Sequence, residues 1–186
     1  SGVITDGGKF KWDTEKYPGM KDFKKFGPFA YTAKLRNGLF RNTGACLSPQ
    51  NAFYNSIGME TLGLRMERVC DNAKTLAQFF ATEYSDIEVN YPGLAGSKWH
   101  NIATEQFGDK FGGIITIRIG NKKRAFGIID ALKLPLIVSN IGDTKTLVIH
   151  PESTLNVHST QEEKETAGVF DDLIRISVGI EDIDDL

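Results

Sequence analysis

From Ser48-Pro49 to Thr82, apolar residues recur at Phe53, Ile57, Leu62, Met66, Val69, Ala73, Leu76 and Phe80, spacings of three to five residues. That is mainly a helical period. Ser48 suits an N-cap and Pro49 the first helical position. Unbroken from Pro49 to Thr82, such a helix is about 50 Å long at 1.5 Å per residue. Gly58 and Gly63 are the places where it can kink. A helix this long outreaches one small domain and reads as a spine between two packing units. The whole chain has 186 residues, about one and a quarter domains at roughly 150 residues each.

The segment before the helix lacks a period. Gly2-Val3-Ile4-Thr5 is β-prone and stops at Asp6-Gly7-Gly8, a strong turn signal. The following run, KFKWDTEKYPGMKDFKKFGPFAY, mixes prolines, aromatics and lysines. It reads as an extended connection or a wrapped surface loop. An opening strand with no N-terminal partner, and an acidic end (GIEDIDDL) that stops where a helix could begin, both read as cuts in a longer chain.

After the helix the pattern alternates. Strands are expected at Ile87–Tyr91, Ile114–Ile119, Leu136–Val138, Leu147–Ile149 and Leu173–Ile180. Helices are expected at Ser97–Phe107, at Arg124–Leu132 and from Thr160, with Glu163 three residues on as in a capping box. Strands alternating with helices predict an α/β layer, one sheet with helices packed on it.

Composition excludes several classes. With 40% hydrophobic and 25% charged residues, the chain is neither collagenous, low-complexity nor disordered, and no apolar run approaches the roughly 18 residues of a membrane span. A net charge of −2 argues against a nucleic-acid footprint, although residues 1–75 carry +5 and residues 76–186 carry −7. Cys46 and Cys70 form no CxxC pair, so a reducing, cytoplasmic setting is expected. His100, His150 and His158 lack metal-ligand spacing, there is no G-x-S-x-G elbow, and phosphate-loop and dinucleotide fingerprints are absent.

Two segments can bear on a ligand. On the last strand, Ile174, Ile176, Val178 and Ile180 share one face and Leu173, Arg175, Ser177 and Gly179 the other. An arginine beside small residues leaves room for a planar anion, which its rigid fork binds two bonds at a time. Periodicity alone favours the simpler alternative, an outward arginine paired with Asp171, Asp172 or Asp130. The second segment, Val138-Ser139-Asn140-Ile141-Gly142-Asp143, follows a strand, and ligands gather at the carboxyl ends of strands in α/β sheets. The same residues also suit an ordinary turn.

Longer stretches carry a resemblance: GVITDGGKFKW, FGPFAYTAKLRNGLFRNTGACLSPQNAF, ETLGLRMERVCDNA, NYPGL, SNIGDTKTLVIHPEST and LIRISVGIEDIDDL. Together, in this order and over essentially the whole chain, they resemble the C-terminal part of the Cys/Met-metabolism family of pyridoxal-phosphate (PLP) enzymes. NIGDTKTL and the KFKW…FGPFAY insert are most similar to the O-acetylhomoserine sulfhydrylases.

The resemblance implies a fold-type-I PLP enzyme. Residues 1–46 would be the tail of its large PLP-binding domain with a connecting segment, and residues 47–186 its C-terminal α/β domain, beginning with the long helix. The implied reaction replaces acetate at the γ-carbon of O-acetylhomoserine by sulfide or a thiol, giving homocysteine or methionine. The Schiff-base lysine, in a Thr-Lys context followed by Gly-Gly-His, matches nothing here, since Thr144-Lys145 belongs to NIGDTKTL. The resemblance places it upstream, with most of the cofactor-holding residues, so the chain alone is expected to be inactive. Arg175 is implied as the anchor of the substrate α-carboxylate, assisted by Ser139 and the Asn140 backbone. Small-molecule substrates, the N-terminal PLP-binding part and a homotetramer are the implied partners, with neither nucleic acid nor membrane. Glu152 stands where the family more often has alanine, and Leu155-Asn156 where many members have threonine-histidine. The latter weakens a methionine γ-lyase reading. That enzyme and cystathionine γ-synthase are the alternative parents, and a stand-alone binding module is the alternative outside the enzymes.

Overall fold

A computed structural model describes residues 2–186. Its backbone forms two compact units that divide between Met59 and Glu60. The expected boundary at 46/47 concerns a different matter, where a parent enzyme's large domain would end.

The first unit corrects the expectation of an extended connection. Gly2–Thr5 forms no strand, and Val3 is 91% exposed. The lysine-rich run is helical instead. It forms 3-10 turns over Pro18–Phe29, broken at Gly27 (φ 54, ψ −123). Helix α1 follows at Ala30–Leu35, then a wider π turn at Arg36–Phe40 and the short α2 at Arg41–Thr43. What the missing period conceals is an aromatic cluster. Trp12 stacks on Tyr31 with ring centroids 5.6 Å apart and meets Phe10 and Tyr17 edge-on, so the opening residues do wrap back onto α1.

The long helix is two helices, α3 at Pro49–Glu60 and α4 at Leu62–Glu83. The break falls at Thr61 (φ −104, ψ 6), between the two glycines, which weaken helix continuity on either side. Among the described residues, α3 buries nothing, whereas α4 buries Val69, Cys70, Asn72, Ala73, Leu76 and Ala77.

The second unit is a helix-covered sheet. Its strands are β1 (Glu88–Asn90), β2 (Ile114–Arg118), β3 (Leu136–Ile137), β4 (Leu147–Ile149) and β5 (Leu173–Ser177), in the order β1-β2-β5-β4-β3. All neighbours are antiparallel except β3 and β4, which run parallel. Helices α5 (His100–Phe107), α6 (Lys122–Ala131) and α7 (Gln161–Thr166) complete it. Alternation along the strands decides the two faces. Ile115, Ile117, Val148, Ile174 and Ile176 form one core with Ala73, Leu76 and Ala77 of α4 and Ala125 and Ile129 of α6. Each fully buried isoleucine is worth roughly 1.5–3 kcal/mol relative to exposure, which holds the sheet to its helices. The opposite face carries one row across four strands, Asn90–Thr116–Arg175–Ile149. No helix among the described residues is long and apolar enough to cross a membrane.

The capping box is present: Thr160 accepts from the Glu163 amide while Glu163 accepts from the Thr160 amide. Nearby, Glu152 receives Lys122 at 2.7 Å and Lys164 at 2.6 Å. The two ammonium groups, Lys122 first, hold its carboxyl down at about 2. A carboxyl near 4.5 when unfolded and about 2 when folded stabilises the fold above the unfolded value and loses that contribution as pH falls toward the folded one. Glu152→Gln is therefore expected to cost about 1–2 kcal/mol near neutral pH, water around Lys122 reducing the full linkage value, and much less at pH 2, where the folded carboxyl is about half protonated. Urea unfolding of both proteins at the two pH values measures this. An equal gap at both would show that the charge is irrelevant.

Candidate functional site

Arg175 is the centre of β5, with Thr116 of β2 on one side and Ile149 of β4 on the other. Its Nη2 donates to the Asn140 carbonyl at 3.1 Å. Its Nε is buried and meets no acceptor among the described residues. Burial without a neighbouring acid pulls the guanidinium below the usual arginine value.

The expected pairing of Arg175 with Asp171, Asp172 or Asp130 does not occur. Asp172 lies three residues from Arg175 and so belongs to the other face of the strand. It takes Arg118 Nε at 2.9 Å and the Gly120 amide at 3.0 Å. Desolvation raises the Asp172 carboxyl, but these two donors outweigh it and leave it below its ordinary value. Asp171 engages His150, which contacts the Asp171 carbonyl through Nε2 at 2.8 Å. Asp130 sits on α6, the helix that packs on the apolar face. Arg175 is left as a half-buried cation with no acid against it among the described residues.

An unmade hydrogen bond at a buried donor costs about 1–3 kcal/mol, and such donors are rare in native folds. Nε and an adjacent Nη form the edge that donates two parallel hydrogen bonds to a carboxylate. The site can therefore hold one carboxylate in a fixed orientation.

The 139–142 segment lies beside this arginine. Gly142 has φ 78, a left-handed turn that glycine adopts without strain. The Gly142 amide donates to Ser177 Oγ at 3.2 Å, and the Asn140 amide donates to the Val138 carbonyl at 3.0 Å. Asp143 Oδ1 then accepts from the Lys145 amide at 3.1 Å. The turn and ligand readings of this segment thus coexist, Gly142 and Asp143 shaping the loop while Asn140 meets Arg175. Ser139 is exposed, and its side chain makes no hydrogen bond among the described residues.

A buried clasp with no counterpart among the sequence motifs carries this loop. Thr146, 1% exposed, donates its amide to Glu181 Oε1 and its hydroxyl to Glu181 Oε2 at 2.9 Å, and accepts the Gly179 amide at 2.9 Å. Asn72 of α4 donates to the carbonyls of Gly179 and Glu181 at 3.1 and 2.9 Å. The signal was a polar residue inside the apolar stripe of α4, opposite the S-V-G-I-E stretch.

The residues present fit a carboxylate better than they fit PLP itself. No described lysine hydrogen-bonds to Arg175 or to residues 139–142. Lys110 is taken by Asp71 at 2.8 Å, and Lys122 and Lys164 by Glu152. Among the described residues no amine, acid and phosphate cradle converge on one cavity.

A family model described as Cys/Met metabolism PLP-dependent enzyme matches residues 1–186. The chain belongs to that family. Among its members, the chain is 40% identical over 202 residues to the O-acetyl-L-homoserine sulfhydrylase of Corynebacterium glutamicum, covering 100% of this chain and 46% of the relative. It is 37% identical over 198 residues to the homocysteine synthase of Schizosaccharomyces pombe, with coverage of 100% and 46%. The chain thus spans about half the length of the curated relatives it matches. A solved structure of a putative O-acetylhomoserine (thiol)-lyase from Campylobacter jejuni superimposes with a TM-score of 0.76 at 36% identity, over 83% of this chain and 37% of that one. That structure carries a pyridoxyl-lysine monophosphate. An O-acetylhomoserine sulfhydrylase from Wolinella succinogenes gives 0.69 at 36% identity, over 89% and 43%. The Cys/Met-metabolism chain is thereby a fold-type-I, PLP-dependent family member.

Proposed function

We propose that this chain is the C-terminal portion of a PLP-dependent O-acetylhomoserine sulfhydrylase and supplies the anchor for the substrate's α-carboxylate. The observation that carries the reading is Arg175, a half-buried guanidinium whose Nε lacks an acceptor and which no carboxylate of the described chain reaches. The names of the relatives support the substrate and the sulfur chemistry.

PLP, when bound, supplies the electron sink for bonds at the amino acid's Cα. The work of this chain is orientation. Arg175 grips the carboxylate along its Nε edge, the Asn140 carbonyl holds one Nη in place, and Ser139 is within the same loop to complete the recognition. A fixed carboxylate decides which Cα bond is aligned for cleavage, and orientation of that kind lowers a barrier without any proton passing through the arginine. An upstream segment supplies the Schiff-base lysine, so the isolated chain turns nothing over. The working enzyme is a cytoplasmic homo-oligomer in this reading.

The assay uses the PLP-loaded enzyme that contains this chain, given O-acetylhomoserine with sulfide, with cysteine, or alone. Sulfide-dependent homocysteine is expected. Cystathionine from cysteine, or keto acid without any sulfur donor, would reassign the reaction to the cystathionine γ-synthase or methionine γ-lyase type. Borohydride reduction of the isolated chain with PLP, followed by peptide mapping, is expected to label lysines sparsely. Stoichiometric label on one lysine would place the cofactor within this chain and overturn the upstream assignment.

A further inference from the structure

We propose that Ser177 is a positioning residue for carboxylate recognition, acting through the 139–142 loop on Arg175. The inference rests on the reading of Arg175 given above.

Ser177 is 2% exposed and stands two residues from Arg175 on the same strand face, a separation of about 6.6 Å. Its Oγ accepts the Gly142 amide at 3.2 Å. Two residues earlier in the loop, the Asn140 carbonyl accepts Arg175 Nη2 at 3.1 Å. The loop therefore lies along β5 on two rungs, one at each side chain. The second rung takes one N–H of Nη2, the terminal nitrogen on the same edge as Nε, and so fixes the direction in which the fork faces. Nε stays the buried donor with no acceptor among the described residues. Remove the Ser177 hydroxyl and the Gly142 amide loses its acceptor. The loop then lifts toward water, and the Asn140 carbonyl withdraws from the guanidinium. An arginine freed at Nη2 samples more rotamers, and each carboxylate it binds must first re-order it. The effect falls mainly on binding, because Arg175 is retained and, once re-ordered, orients the carboxylate as before.

The test is a double-mutant cycle in the PLP-loaded enzyme that contains this chain. The readouts are KM and kcat for O-acetylhomoserine, and the calorimetric Kd of L-norleucine, which has the α-carboxylate and no γ leaving group. Ser177→Ala is expected to raise KM and Kd about fivefold, the scale of one neutral hydrogen bond, with kcat changed by less than about twofold. Arg175→Ala raises both constants much further, and adding Ser177→Ala to it changes nothing more, since the serine then has no arginine to position. Ser177→Cys preserves the side-chain shape with a weaker acceptor and is expected to fall between serine and alanine; it carries the test if the alanine variant does not fold. If Arg175→Ala leaves KM and Kd unmoved, the carboxylate reading fails and takes this one with it. If Arg175→Ala acts while Ser177→Ala lowers only the melting temperature, or adds in full on top of Arg175→Ala, the positioning role alone is overturned.

Discussion

Arg175→Ala in the PLP-loaded enzyme is expected to lower kcat/KM for O-acetylhomoserine by about a hundredfold, through a higher KM and a lower kcat together. Hydrogen bonds to charged groups are worth about 1.5–3 kcal/mol each, and a hundredfold corresponds to about 2.7 kcal/mol. The estimate thus assumes that of the two bonds a carboxylate makes to the fork, one is lost outright and one is replaced by water. Arg175→Lys is expected to recover little. An ammonium is a point donor that cannot reach along Nε and Nη at once, and on β5 it would remain half-buried without an acid. A distinction from general damage is available, because an amino-acid amide lacking the α-carboxylate has nothing for Arg175 to hold. Its weak binding should be the same in both proteins. If kcat/KM for the true substrate stays within about twofold of wild type, about 0.4 kcal/mol, Arg175 is not the carboxylate anchor.

Gly179→Ala is expected to be the most destabilising single methyl in the chain, costing about 3 kcal/mol or more. A Cβ there would lie 2.5 Å from the Thr144 carbonyl oxygen and 2.6 Å from the Lys145 carbonyl carbon, and would also meet the Glu181 carboxylate. The first two are backbone, so no rotamer change relieves them, and overpacking of a rigid site costs about 1–3 kcal/mol or more. The same shift would break the Gly179 amide from Thr146 Oγ1 and disturb Asn72 at the Gly179 carbonyl. Gly127→Ala is the matched control. Nothing lies within 4 Å of its added methyl, and it sits inside α6, where alanine is favoured over glycine by roughly 0.5–1 kcal/mol. Denaturant unfolding of the two variants should therefore move in opposite directions. A Gly179→Ala protein as stable as wild type would mean that the loop and the strand end are free to separate.

Part of this molecule is legible from residue order. The five strands stand where alternation and β-branched runs put them, within two or three residues at their ends, and the Thr160–Glu163 capping box forms as written. These are local features. A strand's period, a cap and its partner three residues on, and the helical stripe of α4 all concern residues close in sequence, so local chemistry suffices to announce them. The long helix was legible in type and not in continuity, since stripe periodicity does not register a single residue such as Thr61 leaving the helical region. In the first forty-odd residues the wrapping was legible and the helical turns were not, because Trp12 and Tyr31 stabilise the segment by stacking across a distance in the chain, and no period records that.

The candidate site around Arg175 divides along the same line. Sequence order alone established that Arg175 shares a strand face with Ser177, and that 139–142 is a glycine-bearing loop after a strand. Tertiary structure alone decided that the two meet. Which of three aspartates would neutralise Arg175 depended on the sheet: β2 brought Arg118 to Asp172 first, leaving the β5 arginine without an acid. The clasp of Asn72, Thr146, Gly179 and Glu181 joins residues from α4, the start of β4 and the end of β5. Ion pairs and buried hydrogen bonds form between whatever the fold sets within about 3 Å, so their partners are a property of packing and not of order along the chain.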